Sequence, residues 1–177
     1  KSGLVSLRDS RVRFSHSLYR EGLYHEIPRL RRQALHRDAA RASRDSGASL
    51  EEVAHHLLEG GQAVAADAVD HAVRAAGHAV DVFAFEEAMA LLQRAASKVP
   101  TGPLEATLRC RVLIAQGEAL LRSGDATGRE LCAKAAGIAR QLGAAELLAH
   151  AGLAYGSVLM MGGVDPFLVG VLEDALE

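Results

Sequence analysis

Histidine and arginine are the residues of this chain best suited to chemistry, and one short run concentrates them. The stretch RVRFSHSLYREGLY, positions 11–24, sets His16 between aromatics and arginines where a strand-like run turns into a helix. An imidazole at a helix start adds a donor where backbone N–H groups already favour anions. The plainer reading is a local histidine that hydrogen-bonds the preceding hairpin. His55, His56, His71 and His78 raise the question of metal. His71 and His78 share a face two turns apart, too far for one ion, and His55 with Glu59 lacks a second pair, so no metal site is expected. Nucleophilic catalysis requires a base beside Cys110 or Cys132, and neither has a histidine near it in sequence. The pairs Glu51-Glu52 and Glu86-Glu87 fall in first helical turns, where the helix dipole favours them. GGQAVAAD follows a helix rather than a strand, which makes it a turn and not a phosphate loop. Tyr155, Met160 and Met161 read as core or as a patch on a repeat face. No catalytic residue and no enzymatic activity are therefore expected of these residues.

The elements that must position these groups are helical. Of 177 residues, 49% are apolar but only 4% aromatic, so the core is built from Ala, Leu and Val, the texture of closely packed helices. A formal net charge of −2 argues against a nucleic-acid glove over the whole chain. Two isolated cysteines suit a reducing cytoplasm, and no run is apolar enough to span a bilayer. The chain begins at Lys1 and stops inside a helical pattern, so it is expected to be a piece of a longer protein. Residues 4–14 alternate on both sides of a polar tetrapeptide and predict a small β-hairpin. Ser15 is then expected to cap a helix with Leu18, Leu23 and Ile27 on one side. Pro28 opens the next helix, which carries Arg29, Arg31, Arg32, Arg37, Arg41 and Arg44 around a buried stripe of Leu30, Ala34 and Leu35. That basic helix is read as a solvated or interdomain face, with phosphate or nucleic-acid contact as the alternative. Ser49 and Glu52 form a capping box ahead of Val53 and Leu57. Further helices are predicted at about 62–80, 84–98, 103–123, 126–142, 144–161 and 166–177, broken at 100–103, 123–125, Gly143 and Gly162-Gly163. The division is thus residues 1–46, a hairpin and helix followed by the arginine-rich helix, and residues 47–177, helical repeats.

Those repeats resemble tetratricopeptide units. DVFAFEEAMALLQRAASKVP reproduces a second helix, with small Ala88 and Ala95, gap-filling Leu92 and terminating Pro100. The preceding helix presents Ala72, Ala75, Ala76 and Ala79 as its contact face. A second unit runs through Gly117 and Leu120, then Ala133 and Ala136, and a third begins at ELLAHAGLAYGSVLMMGG. Hairpins that cannot bury a face alone stack into a right-handed superhelix. A non-repeating helical bundle is the alternative. The fold class is accordingly all-α, a tetratricopeptide-like α-α superhelix preceded by a short hairpin. Arg74, His78, Arg111 and Gln116 are the residues expected to face its groove.

The opening stretch followed by such repeats resembles bacterial STAND-type ATPase regulators, notably LuxR-type regulators of the MalT-like kind. The carriers are Phe14, His16, Arg20 and Tyr24, leading into the arginine-rich helix. The resemblance makes residues 1–46 the end of a winged-helix-like element with the arginine-rich helix. It implies an upstream nucleotide-binding domain, with His16 and Arg20 contacting ATP or ADP in that parent, and DNA binding only through another domain. The chain itself has no G-x-x-x-x-G-K-[ST] loop and no recognisable C-terminal helix-turn-helix, so it carries no cofactor of its own. The expected function is a non-catalytic, cytoplasmic regulatory segment that binds a protein, a peptide or a small inducer on its repeat face. Two alternatives stand beside it: a nucleic-acid-binding module built on the winged-helix remnant and arginine helix, and a self-associating scaffold that forms homo-oligomers.

Overall fold

A computed structural model describes residues 4–8, 11–100, 102, 105–157 and 164–176. Strands β1 (Val5–Arg8) and β2 (Arg11–Phe14) pair antiparallel, with Val5 opposite Phe14 and Arg8 opposite Arg11. Nine helices follow among the described residues: α1 (Ser17–Glu26), α2 (Arg29–Asp45), α3 (Leu50–Glu59), α4 (Ala65–Asp81), α5 (Phe85–Lys98), α6 (Ala106–Arg122), α7 (Gly128–Leu142), α8 (Ala145–Gly156) and α9 (Pro166–Asp174). A single 3₁₀ turn, Gln62–Val64, leads into α4. The chain is all-α with a short β-hairpin at its start, as its composition and periodicity predict. Several ends differ: α6 starts at Ala106 rather than near 103, and α7 starts at Gly128. Thr101, Pro103, Met160, Met161 and the Gly162-Gly163 break lie outside the described residues.

From α2 to α9, successive helices pack on one another, and α4, α6 and α8 also lie side by side. The core is alanine-lined. Ala68, Val69, Ala72 and Ala75 of α4 meet Val53, Ala54, Leu57 and Leu58 of α3, and all are buried. On its other side, α4 puts Ala76, Ala79 and Val80 against Ala88 and Leu92 of α5 and Ala119 of α6. Small side chains let axes approach, and the closest crossing is α6 on α7. There a Cβ on Gly117 would meet Cys132 Sγ at 2.5 Å and the Gly128 carbonyl at 2.8 Å. Two ion pairs tie α4 to α6 at one sequence offset of 41 residues: Asp70 to Arg111 at 2.7 Å and Asp81 to Arg122 at 3.0 Å.

Three local expectations are corrected. The N-cap of α1 is His16, not Ser15, whose hydroxyl instead donates to the Leu4 carbonyl at 3.2 Å and holds the hairpin. Leu18 and Leu23 do not form a buried side; α1 has no buried residue. On α2 the predicted stripe is turned outward, Leu30 being 79% and Leu35 39% exposed. The face that docks is polar and one step around the helix. Arg37 donates to the Gly60 carbonyl at 2.7 Å, Ala40 is buried, and Ser43 donates to Glu52 at 2.7 Å. That last bond also claims the Glu52 carboxylate. The Ser49 cap therefore keeps its forward arm, Glu52 N–H to Ser49 Oγ at 3.3 Å.

Candidate functional site

The groups picked out at the start of the chain do structural work locally. The His16 Nδ1 accepts the Leu18 N–H at 3.2 Å, which requires the tautomer with its proton on Nε2. The ring stands edge-on to Tyr19, with centroids 6.3 Å apart. His16 and Arg20 are both exposed, and Arg20 has no ion pair among the described residues.

The arginines of α2 divide by face. Arg32 donates to the Tyr24 carbonyl at 3.1 Å and lies 5.0 Å over the Tyr24 ring, which ties α1 to α2. Arg37 holds the end of α3 as described. Arg41 pairs with Asp38 one turn away, and Arg44 reaches Asp67 at 3.8 Å. Most of this charge is thus spent on contacts within the chain.

Sequence spacing misses a histidine network. The Tyr24 hydroxyl and His36 Nε2 are 3.0 Å apart, and His36 Nδ1 lies 3.0 Å from His56 Nδ1. His55 packs edge-on to His56, and Arg94 of α5 reaches both His55, at 3.5 Å, and Glu59, at 3.1 Å. His36 was hidden among arginines because its partners are 12 and 20 residues away. Two imidazoles can share one proton between facing Nδ1 atoms, but not when both are charged. Burial first, and then His56, lowers the His36 pKa; burial first, and then Arg94, lowers that of His55. Burial works to raise the Glu59 pKa, but the Arg94 hydrogen bond and Lys98 outweigh it and the net shift is downward.

The consequence is a pH dependence. The unfolded chain takes protons on His36 and His55 near pH ~6.5, whereas the folded chain resists them until lower pH. Stability is therefore fully present above that value and falls as pH drops below it. Thermal melts at stepped pH between about 7.5 and 5.5 should show a steeper loss for the native chain than for His36→Gln. Parallel curves would remove the network as the cause. No group of three or more metal-ligating side chains is assembled among the described residues.

The cysteines are unsuited to nucleophilic work. Cys110 is buried and donates to the Ala135 carbonyl at 3.3 Å, and burial raises its pKa. Burial, aided by Glu118, pushes the Cys132 thiol up to about 11. Tyr155 is a packing post: it donates to Asp165 at 3.0 Å, stacks near Phe167 at 4.9 Å and carries Arg129 over its ring at 5.6 Å. Asp165 in turn caps α9 by accepting the Phe167 N–H at 2.9 Å.

A groove of about 710 Å³ lies between α4, α6 and α8. Val73, Ile114 and Leu147 give it an apolar floor, and Arg111, Glu118, Glu146 and His150 give it polar walls. Of the four residues expected there, Arg111 lines it, its guanidinium fixed by Asp70. Asp70 has a pKa lowered chiefly by that hydrogen bond. Arg74 is exposed one turn beyond Asp70. His78 is turned to Glu51 of α3 at 3.1 Å, and Gln116 is half-buried on α6 outside the lining. Glu146 and His150 were not anticipated, because the third unit was legible only as a weak repeat. The arrangement holds no nucleophile–base pair. It offers apolar contact flanked by charges of both signs, which suits reversible binding. Compared with known proteins, the chain matches no protein-family model, no curated protein and no solved structure.

Proposed function

We propose that this chain is a non-catalytic regulatory and interaction segment that binds a protein segment, a peptide or a small inducer in the groove between α4, α6 and α8. The observation that carries the reading is that groove: a concavity with apolar lining residues, built by the three helices that lie side by side. Helical repeats commonly use the surface formed by such helices for recognition. The opening motif at Phe14, His16, Arg20 and Tyr24 supports placing the segment in a cytoplasmic STAND-type ATPase or LuxR-type transcriptional regulator. On that reading ATP or ADP belongs to an upstream module and DNA contact to another domain. Occupancy of the groove would bias the parent between two states through differential affinity for them.

The test is selection of peptides from a random displayed library on the whole chain, followed by affinity measurement on Glu146→Lys and His150→Ala. Both side chains are exposed, so the variants keep the core intact. Enriched peptides that bind saturably and lose about tenfold in affinity on either variant are the expected result. No saturable binder, or equal binding by the variants, would overturn the reading.

A further inference from the structure

A second concavity, of about 300 Å³, opens where α1, α2, α3 and α5 meet the start of α4, and it shares no lining residue with the groove. Its charge balance is unlike that of the rest of the molecule. Arg29 and Arg32 of α2 and Lys98 of α5 all line it, against the single carboxylate of Glu59. Glu59 is already engaged by Arg94 at 3.1 Å. Acidic residues outnumber Lys and Arg in the whole chain, 22 to 20, so this local excess of positive charge is not the average surface.

Four arginines in contact with neighbouring helices elsewhere are committed to oxygen acceptors, although Arg129 over the Tyr155 ring is not. Arg37 is held by a carbonyl, Arg111 by Asp70, Arg122 by Asp81 and Arg140 by Asp174. Arg29 and Lys98 have no ion pair among the described residues, and Arg32 spends one nitrogen on the Tyr24 carbonyl. The floor is apolar, with buried Leu57 beneath and the Tyr24 ring at the side. An apolar wall lowers the local dielectric and strengthens the attraction of all three cations for one anion. Two guanidinium forks and an ammonium facing a cleft at the lower end of ligand-pocket size match the oxygens of a phosphate.

We propose that this cleft binds a small phosphorylated molecule, its phosphate held by Arg29, Arg32 and Lys98 and a compact apolar body resting on Leu57 and Tyr24. A cleft of about 300 Å³ suits a small molecule better than a nucleic-acid strand, which is the competing occupant in the test. The site stands independently of the groove, and its failure would leave the peptide reading intact.

The experiment is calorimetric titration of the whole chain with inorganic pyrophosphate, and separately with phosphate, at fixed ionic strength. It is repeated on Arg29→Gln, Lys98→Gln and their double variant, with Arg31→Gln as the control. Arg31 is exposed on the same helix and does not line the cleft. Saturable one-site binding, weakened about tenfold or more in the double variant and less than about twofold in the control, is the expected result. Absence of saturable binding, or equal weakening by Arg31→Gln, would overturn the proposal. So would tighter binding of a single-stranded oligonucleotide that competes with pyrophosphate, since that would assign the charge to nucleic acid.

Discussion

Gly117→Val should destabilise the protein by about 3 kcal/mol or more, the upper range for overpacking a tight core. Glycine in mid-helix costs about 1 kcal/mol relative to alanine, so its presence in α6 signals a demand for space. The neighbours that a side chain would meet are largely backbone. A Cβ would fall 2.8 Å from the Gly128 carbonyl and 3.2 Å from the Cys132 nitrogen, besides 2.5 Å from Cys132 Sγ. The constraint is mutual, because a Cβ on Gly128 would run into the Gly117 carbonyl. Trimming Cys132 to alanine would relieve only the sulfur, so the double variant should recover little. Gly137 supplies the control: it lies within α7 with nothing within 4 Å of its notional Cβ. Gly137→Ala should be neutral or slightly stabilising through helix propensity. Urea denaturation followed by circular dichroism separates the two, and equal midpoints for both variants would refute the close crossing of α6 and α7.

Leu92→Ala should cost about 3 kcal/mol, within the usual range for emptying a buried leucine site. Leu92 is fully buried and is enclosed by Ala76, Ala79, Val80, Ala88 and Ala119 from α4, α5 and α6. The buried neighbours are mostly alanines, which have no rotamers with which to refill a void, and only the partly buried Val73, Phe85 and Met89 at the margin could shift toward it. The cavity should therefore persist rather than collapse. A lower denaturation midpoint with unchanged denaturant dependence is the expected signature. A loss below about 1 kcal/mol would mean that the three helices can close over the site.

The helices were legible where their periodicity is strong. Leu92, Ala88 and Ala95 recur at intervals of three or four, and α5 lies almost where that pattern puts it, over Phe85–Lys98. Position on a helix was harder to read when the docking face is polar. Leu30 and Leu35 are the large apolar residues of α2, yet that helix is held by Arg37, Ala40 and Ser43, because its neighbour presents a carbonyl and a carboxylate there. No intrinsic preference of α2 encodes what α3 will present. The same limit hid the network of Tyr24, His36 and His56, whose members come from three helices. Arg111 could be named as a groove residue because the first helices of a repeat share a face. Glu146 and His150 needed the placement of α8, which its weak pattern did not supply.

The two ion pairs between α4 and α6 have a mechanical meaning. Asp70–Arg111 and Asp81–Arg122 are eleven residues apart on both helices, about three turns, or roughly 16 Å along each axis. One peg leaves a pivot, whereas two fix a line. The helices can hinge about that line, but sliding lengthwise would break both pegs together. An occupant of the groove would therefore meet a fixed graduation along its length and an adjustable jaw across it, able to select for spacing while tolerating girth.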